Sequence, residues 1–112
     1  MIIIELLKSV FRSIRIEKKK ARLMTALNIN SPDDAAKFLD REIARLEADG
    51  KPGDMEYISY VMLYLNAQDN WDLFRKYDAY FRSENVSKDI KESYEKSYYE
   101  LILARYGPFC IL

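Results

Sequence analysis

Apolar residues at Ile3, Leu7, Val10, Ile14, Ala21 and Met24 recur at spacings of three, four or seven, the rhythm that gathers side chains on one side of a helix. The pattern predicts a first helix over about residues 2–27. Lys8, Arg12, Arg15, Lys19 and Arg22 keep the same rhythm, and at about 100° per residue they fall nearly opposite the apolar line. The helix is therefore basic and amphipathic, and a chain this short is expected to need its apolar line for its own core. Glu17 interrupts that line, so a kink or an end is expected between Arg15 and Lys20.

The clearest local signal follows at Asn28-Ile29-Asn30-Ser31-Pro32-Asp33-Asp34. Ser31 can cap a helix, Pro32 suits its first position, and two carboxylates meet its positive end. This second helix presents Ala35, Leu39, Ile43 and Leu46 on one face and stops at Gly50, ahead of the turn Lys51-Pro52-Gly53. Asp54 is the expected cap of a third helix over about residues 55–67. Here Ile58, Val61, Met62 and Leu65 form one apolar line and Tyr57, Tyr60 and Tyr64 a second, which predicts a central helix packed on two sides.

A fourth helix, expected to be capped by Asp69, carries Trp71, Leu73, Phe74, Tyr77, Tyr80 and Phe81 over about half its circumference. After Ser83 to Ser87, a fifth runs from about Lys88 to Tyr106 and is stopped by Gly107-Pro108. Its inner face is Ile90, Tyr94, Tyr98 and Leu101, while Lys88, Glu92, Lys96 and Glu100 alternate at spacing four on a solvated face. With links of about two to six residues, these elements predict an all-α fold. It is a compact single-domain bundle of about five helices covering residues 1–112, with mostly antiparallel neighbours.

Composition narrows the chemistry. The chain has no His, which removes the imidazole acid, base and ligand, and its one Cys excludes an internal disulfide or a multi-thiolate zinc site. Gly50-Lys51-Pro52-Gly53 lacks the length and closing residues of a phosphate loop. The acidic groups near it lack the alternating spacing of a calcium loop. Cys110 sits among Phe109, Ile111 and Leu112, apolar surroundings that favour a packed thiol over a reactive one, and it is one position out of register for prenylation. No catalytic residue, metal or cofactor is assigned. Without a spanning segment, leader or disulfide, the expected compartment is the cytoplasm.

Eighteen basic and eighteen acidic residues cancel, but unevenly: residues 1–30 hold seven basic and two acidic groups. That leaves three surfaces for a partner. The nine tyrosines all follow residue 56, and Tyr is enriched at interfaces because its rigid ring ends in a polar tip. Tyr57, Tyr60 and Tyr64 form a column on the third helix, and Tyr99, Leu103 and Tyr106 project toward the charged side of the fifth. The basic face of the first helix, Lys8, Arg12, Arg15, Lys19 and Arg22, could meet nucleic acid or an acidic membrane surface. The tail Phe109–Leu112 must dock on its own bundle or elsewhere.

These observations predict a small, non-enzymatic protein-binding module acting by stoichiometric occlusion or bridging of another protein, as an inhibitor, immunity-type factor or adaptor does. Its contact set would be Tyr57, Tyr60, Tyr64, Tyr99, Leu103 and Tyr106. The alternative is an anionic-surface binder working through the basic first helix. A homodimer through that helix fits its pattern equally well.

Overall fold

The computed structural model describes residues 2–106, arranged as five helices: α1 (Ile2–Ala26), α2 (Pro32–Asp49), α3 (Met55–Ala67), α4 (Trp71–Phe81) and α5 (Lys88–Tyr106). They form one all-α bundle, as the periodicity predicts. The tail from Phe109 to Leu112, with Cys110, lies outside the described residues.

Local chemistry sets most of the boundaries. Ser31 is extended and its hydroxyl accepts the Asp34 N–H, while the Asp34 carboxylate accepts the Asn30 N–H at 3.0 Å, so two otherwise unpaired donors at the start of α2 are satisfied. Gly50 closes α2 in the left-handed region at φ 75°, its N–H donating to the Leu46 carbonyl. Asp54 caps α3 by accepting from Glu56 and Tyr57. The expected Asp69 cap of α4 is corrected: Asp69 is left-handed at φ 55° and closes α3, and Asn70 is the residue whose side chain accepts the Leu73 N–H. Asn28, at φ 58°, ends α1 in the same manner. In both places the following N–H, of Ile29 or Asn70, reaches back to the carbonyl five residues earlier.

α3 is the axis of the bundle and touches all four other helices. Ile58, Val61, Met62, Leu63 and Leu65 are fully buried on it, so the two-sided packing predicted from its two apolar lines is present. Ala35, Phe38, Leu39 and Leu46 pack from α2. From α4 only Tyr77 and Phe81 are buried, fewer than the expected six, because an eleven-residue helix at the edge of the bundle turns one end outward; Trp71 is 42% exposed.

α5 supplies Tyr94, Tyr98 and Leu101, with Ile90 only partly covered. Its first two rings run antiparallel to α4 in a stack: Phe81 on Tyr94 at 5.0 Å and Tyr94 on Tyr98 at 6.0 Å, with Phe74 5.7 Å from Tyr98. Each buried phenol finds a partner. Tyr94 donates to Asp78 at 2.7 Å, Tyr77 donates to Asp40 at 2.8 Å, and Tyr98 accepts from Asn66. Burial holds all three hydroxyls above the ordinary tyrosine range, that of Tyr98 at about 12.

The largest departure from the sequence pattern is in α1. This helix is continuous through Glu17, with neither kink nor end there. Its line Ile3, Leu7, Val10 and Ile14 does not enter the core; Ile3 is 71% exposed and Ala21 is exposed too, leaving only Met24 of that set buried. α1 meets the bundle instead through Ser13, Ile16 and Met24, with Leu23 and Leu27 partly covered beside them. At about 100° per residue these lie roughly 120° around the helix from the Ile3–Ile14 line. The first three turns consequently stand clear of the bundle. The molecule measures 50 × 30 × 23 Å with a radius of gyration of 14.8 Å, above the roughly 13 Å of a compact chain this long.

Candidate interaction surface

The projecting half of α1 carries an unbroken set of large apolar side chains in solvent: Ile3, Ile4, Leu6, Leu7, Val10, Phe11 and Ile14 are all exposed, Phe11 by 60%. They span about 160° of the helix, wider than a single core stripe. Fully covering a side chain of this kind is worth about 1.5–3 kcal/mol, so the bundle leaves a substantial amount of association energy unused on one short helix. A contiguous apolar patch of this size on a small domain marks an interaction site.

Cations border it. α1 holds seven basic and two acidic residues. Lys19 pairs with Glu56 of α3 and lies 5.4 Å from the Tyr60 ring; its hydrogen bond to Glu56 raises the lysine's pKa above the ordinary value. Lys20 pairs with Glu17 at 3.0 Å. Lys8, Arg12, Arg15, Lys18 and Arg22 have no ion pair among the described residues and are exposed. Two open grooves lie along this flank, of about 750 and 480 Å³, and Arg12, Arg15 and Lys18 line both. The basic set read from the sequence thus divides: Lys19 is engaged within the fold, and Lys8, Arg12, Arg15 and Arg22 face outward, joined by Lys18.

A polar clamp holds the helix at the point where it leaves the bundle. The Ser13 hydroxyl donates to the Arg105 carbonyl at 2.7 Å and accepts from the Arg105 guanidinium at 2.8 Å, and the same guanidinium pairs with Glu17. Glu17, which looks like an interruption on the sequence, is therefore the residue that fastens α1 to α5. Partial burial pulls its pKa up, but the hydrogen bonds from Arg105 and Lys20 outweigh this and hold it below the ordinary 4.5. A lowered folded value means the stabilisation is present above pH 4.5 and is lost as the pH falls through that lower value. The melting temperature of Glu17→Gln should accordingly fall below that of the parent at neutral pH, by at most about 1 kcal/mol of stability, with the difference closing in acid. An equal difference at both pH values would rule out this ion pair as its source.

The tyrosine set is split by the fold. Tyr60 is 5% exposed beneath Lys19, Tyr64 is half-buried, and Tyr57 stays exposed, so the α3 column is not a continuous surface. On α5, Tyr99 is 63% and Leu103 47% exposed, while Tyr106 is half-covered with its ring under the Arg105 guanidinium at 4.8 Å. This pair lies on the side of α5 turned away from Ser97 and Ala104, the residues that face α1.

One acid is buried without forming a reactive cluster. Glu42 accepts the Gly53 N–H at 2.6 Å and lies 3.7 Å from Arg45, tying α2 to the turn before α3. A Cβ on Gly53 would overlap the Arg45 guanidinium and stand 2.9 Å from the carboxylate, so that position needs glycine for space. Among the described residues no three His, Cys, Asp or Glu side chains are grouped to hold a metal ion, and no helix is long and apolar enough to cross a membrane.

Comparison of the chain with protein-family models, curated proteins and solved structures gives no match. The surface is thus read from its own geometry. The sequence rhythm located the cations but assigned Ile3, Leu7, Val10 and Ile14 to the core and passed over Ile4, Leu6 and Phe11. The signal was present: these three widen the apolar arc well beyond what one packed helix face needs.

Proposed function

We propose that this protein is a non-catalytic docking module. Helices α2 to α5 and the inner face of α1 form a platform, and the first three turns of α1 are the working element held out from it. The protein acts by occupying or bridging a partner. The observation that carries this reading is the continuous exposed apolar set from Ile3 to Ile14, which the bundle leaves uncovered although the same helix buries Ile16 and Met24.

The exposed Tyr99 and Leu103 on α5 favour a second reading, in which a protein partner is met there. The two are separable in the native cell. A photoreactive phenylalanine analogue placed at Phe11, at Tyr99 or at the exposed Glu92 reports what each position touches on irradiation. Adducts concentrated at Phe11 are expected. Adducts at Tyr99 with none at Phe11 would move the function to α5, and equally sparse labelling at all three positions would overturn the docking reading.

A further inference from the structure

We infer that the outer half of α1 is a membrane-surface helix: it lies in the plane of an anionic lipid bilayer, with Leu7, Phe11 and Ile14 toward the acyl chains and Lys8, Arg12, Arg15 and Lys18 at the headgroup phosphates. The inference rests on the docking reading above and names its partner.

Charge complementarity selects this occupant. Five cations on α1 have no counter-ion among the described residues, and both α1 carboxylates are accounted for as far as they reach: Glu17 is clamped by Arg105 and Lys20, leaving Glu5 alone. A second copy of the chain would bring the same cations against them. Nucleic acid would neutralise the cations but leave the apolar arc in water. An acidic bilayer satisfies both at once, because basic side chains flanking an apolar arc reach the phosphates while the arc enters the acyl boundary. The width of the arc, about 160°, also suits a plane better than the narrow stripe by which a helix fills a protein groove.

The position of the bundle is compatible with this pose. Ser13, Ile16 and Met24 attach α1 to the remaining helices on the side away from the Ile3–Ile14 line, so the platform sits above and to one side of the contact plane. The exposed length is about three turns, enough to lie on a bilayer and too short to span one. The grooves lined by Arg12, Arg15 and Lys18 open along the flank where phosphates would sit.

The test uses the full chain in co-sedimentation with vesicles of phosphatidylcholine alone and of phosphatidylcholine mixed with phosphatidylglycerol, at low and moderate salt. Binding to the anionic vesicles at least about tenfold tighter than to the neutral ones, weakening with salt, is expected. Leu7→Gln with Ile14→Gln should abolish it, and Arg12→Gln with Arg15→Gln and Lys18→Gln should remove the preference for anionic lipid, each variant keeping the parent's circular dichroism. A Phe11→Trp substitution in a Trp71→Phe background should shift its emission to the blue on anionic vesicles. Failure of the parent to bind anionic vesicles overturns the inference. If the chain instead self-associates through α1 by sedimentation, the docking reading stands and the lipid assignment falls. Duplex DNA bound as tightly as anionic vesicles, with Leu7→Gln and Ile14→Gln without effect, overturns the assignment in favour of nucleic acid. No vesicle binding, no self-association and no adducts at Phe11 would end both.

Discussion

Replacing Tyr94 with alanine is expected to remove about 3–5 kcal/mol of stability, most of the margin of a domain this size. Tyr94 is fully buried, stacked between Phe81 and Tyr98, and its hydroxyl donates to Asp78. Truncation opens a cavity where α4 meets α5, breaks both ring contacts and deprives the Asp78 carboxylate of one of its donors, leaving it Arg82 at 3.0 Å. The melting temperature should fall by about 10–20 °C. Tyr94→Phe separates the contributions: it keeps the stack and loses only the hydroxyl, at a cost of about 1–2 kcal/mol. If Tyr94→Ala melted with the parent, the ring stack would not be the seam between these helices.

The second large effect is a contrast within one helix. Ile16→Ala and Met24→Ala each remove a side chain under one-tenth exposed and should cost about 2–5 kcal/mol. Leu7→Ala and Ile14→Ala, about half exposed on the same helix, should each change stability by less than about 1 kcal/mol. Urea unfolding of the four variants, compared at constant slope, decides the matter. The contrast is a direct measure of which side of α1 the bundle uses. Four similar losses would mean that the Ile3–Ile14 line is covered in the isolated chain, and the docking surface would disappear with it.

This contrast also bears on how a small chain can hold out so much apolar surface. Below about 150 residues the core is limited by geometry as much as by composition, since a bundle of short helices has room for only so many inward-facing side chains. α3 is covered by all four other helices, and the paired rings of α4 and α5 close one side. The remaining contact with α1 is short and is finished by the polar clamp of Ser13, Glu17 and Arg105. Beyond that clamp, no other helix reaches the first turns of α1.

The sequence by itself determined the elements. Ser31, Pro32, Gly50 and Asp54 act locally, each by satisfying or relaxing backbone groups within a few residues, and all four do in the fold what their chemistry requires. The two apolar lines of α3 and the inner face of α5 were legible for a related reason: each helix has its largest residues on the faces that the neighbours cover, so periodicity and burial coincide. Asp69 was misplaced by one residue because both Asp69 and Asn70 are competent caps, and only the left-handed turn that closes α3 distinguishes them.

Tertiary structure alone decided the role of α1. Periodicity reports which side chains share a face, and it is silent on which face meets the rest of the protein when a helix has two. On α1 one apolar arc covers residues 3–14 and another runs from Ile16 to Leu27, offset by roughly 120°, and the bundle takes the second. The partner that chose between them was Arg105, nearly ninety residues away in the chain, through its bonds to Ser13 and Glu17. The division of the tyrosines has the same origin. Tyr60 and Tyr99 are chemically equivalent on the page of the sequence, and only the approach of α1 across α3 buries the first while nothing approaches the second.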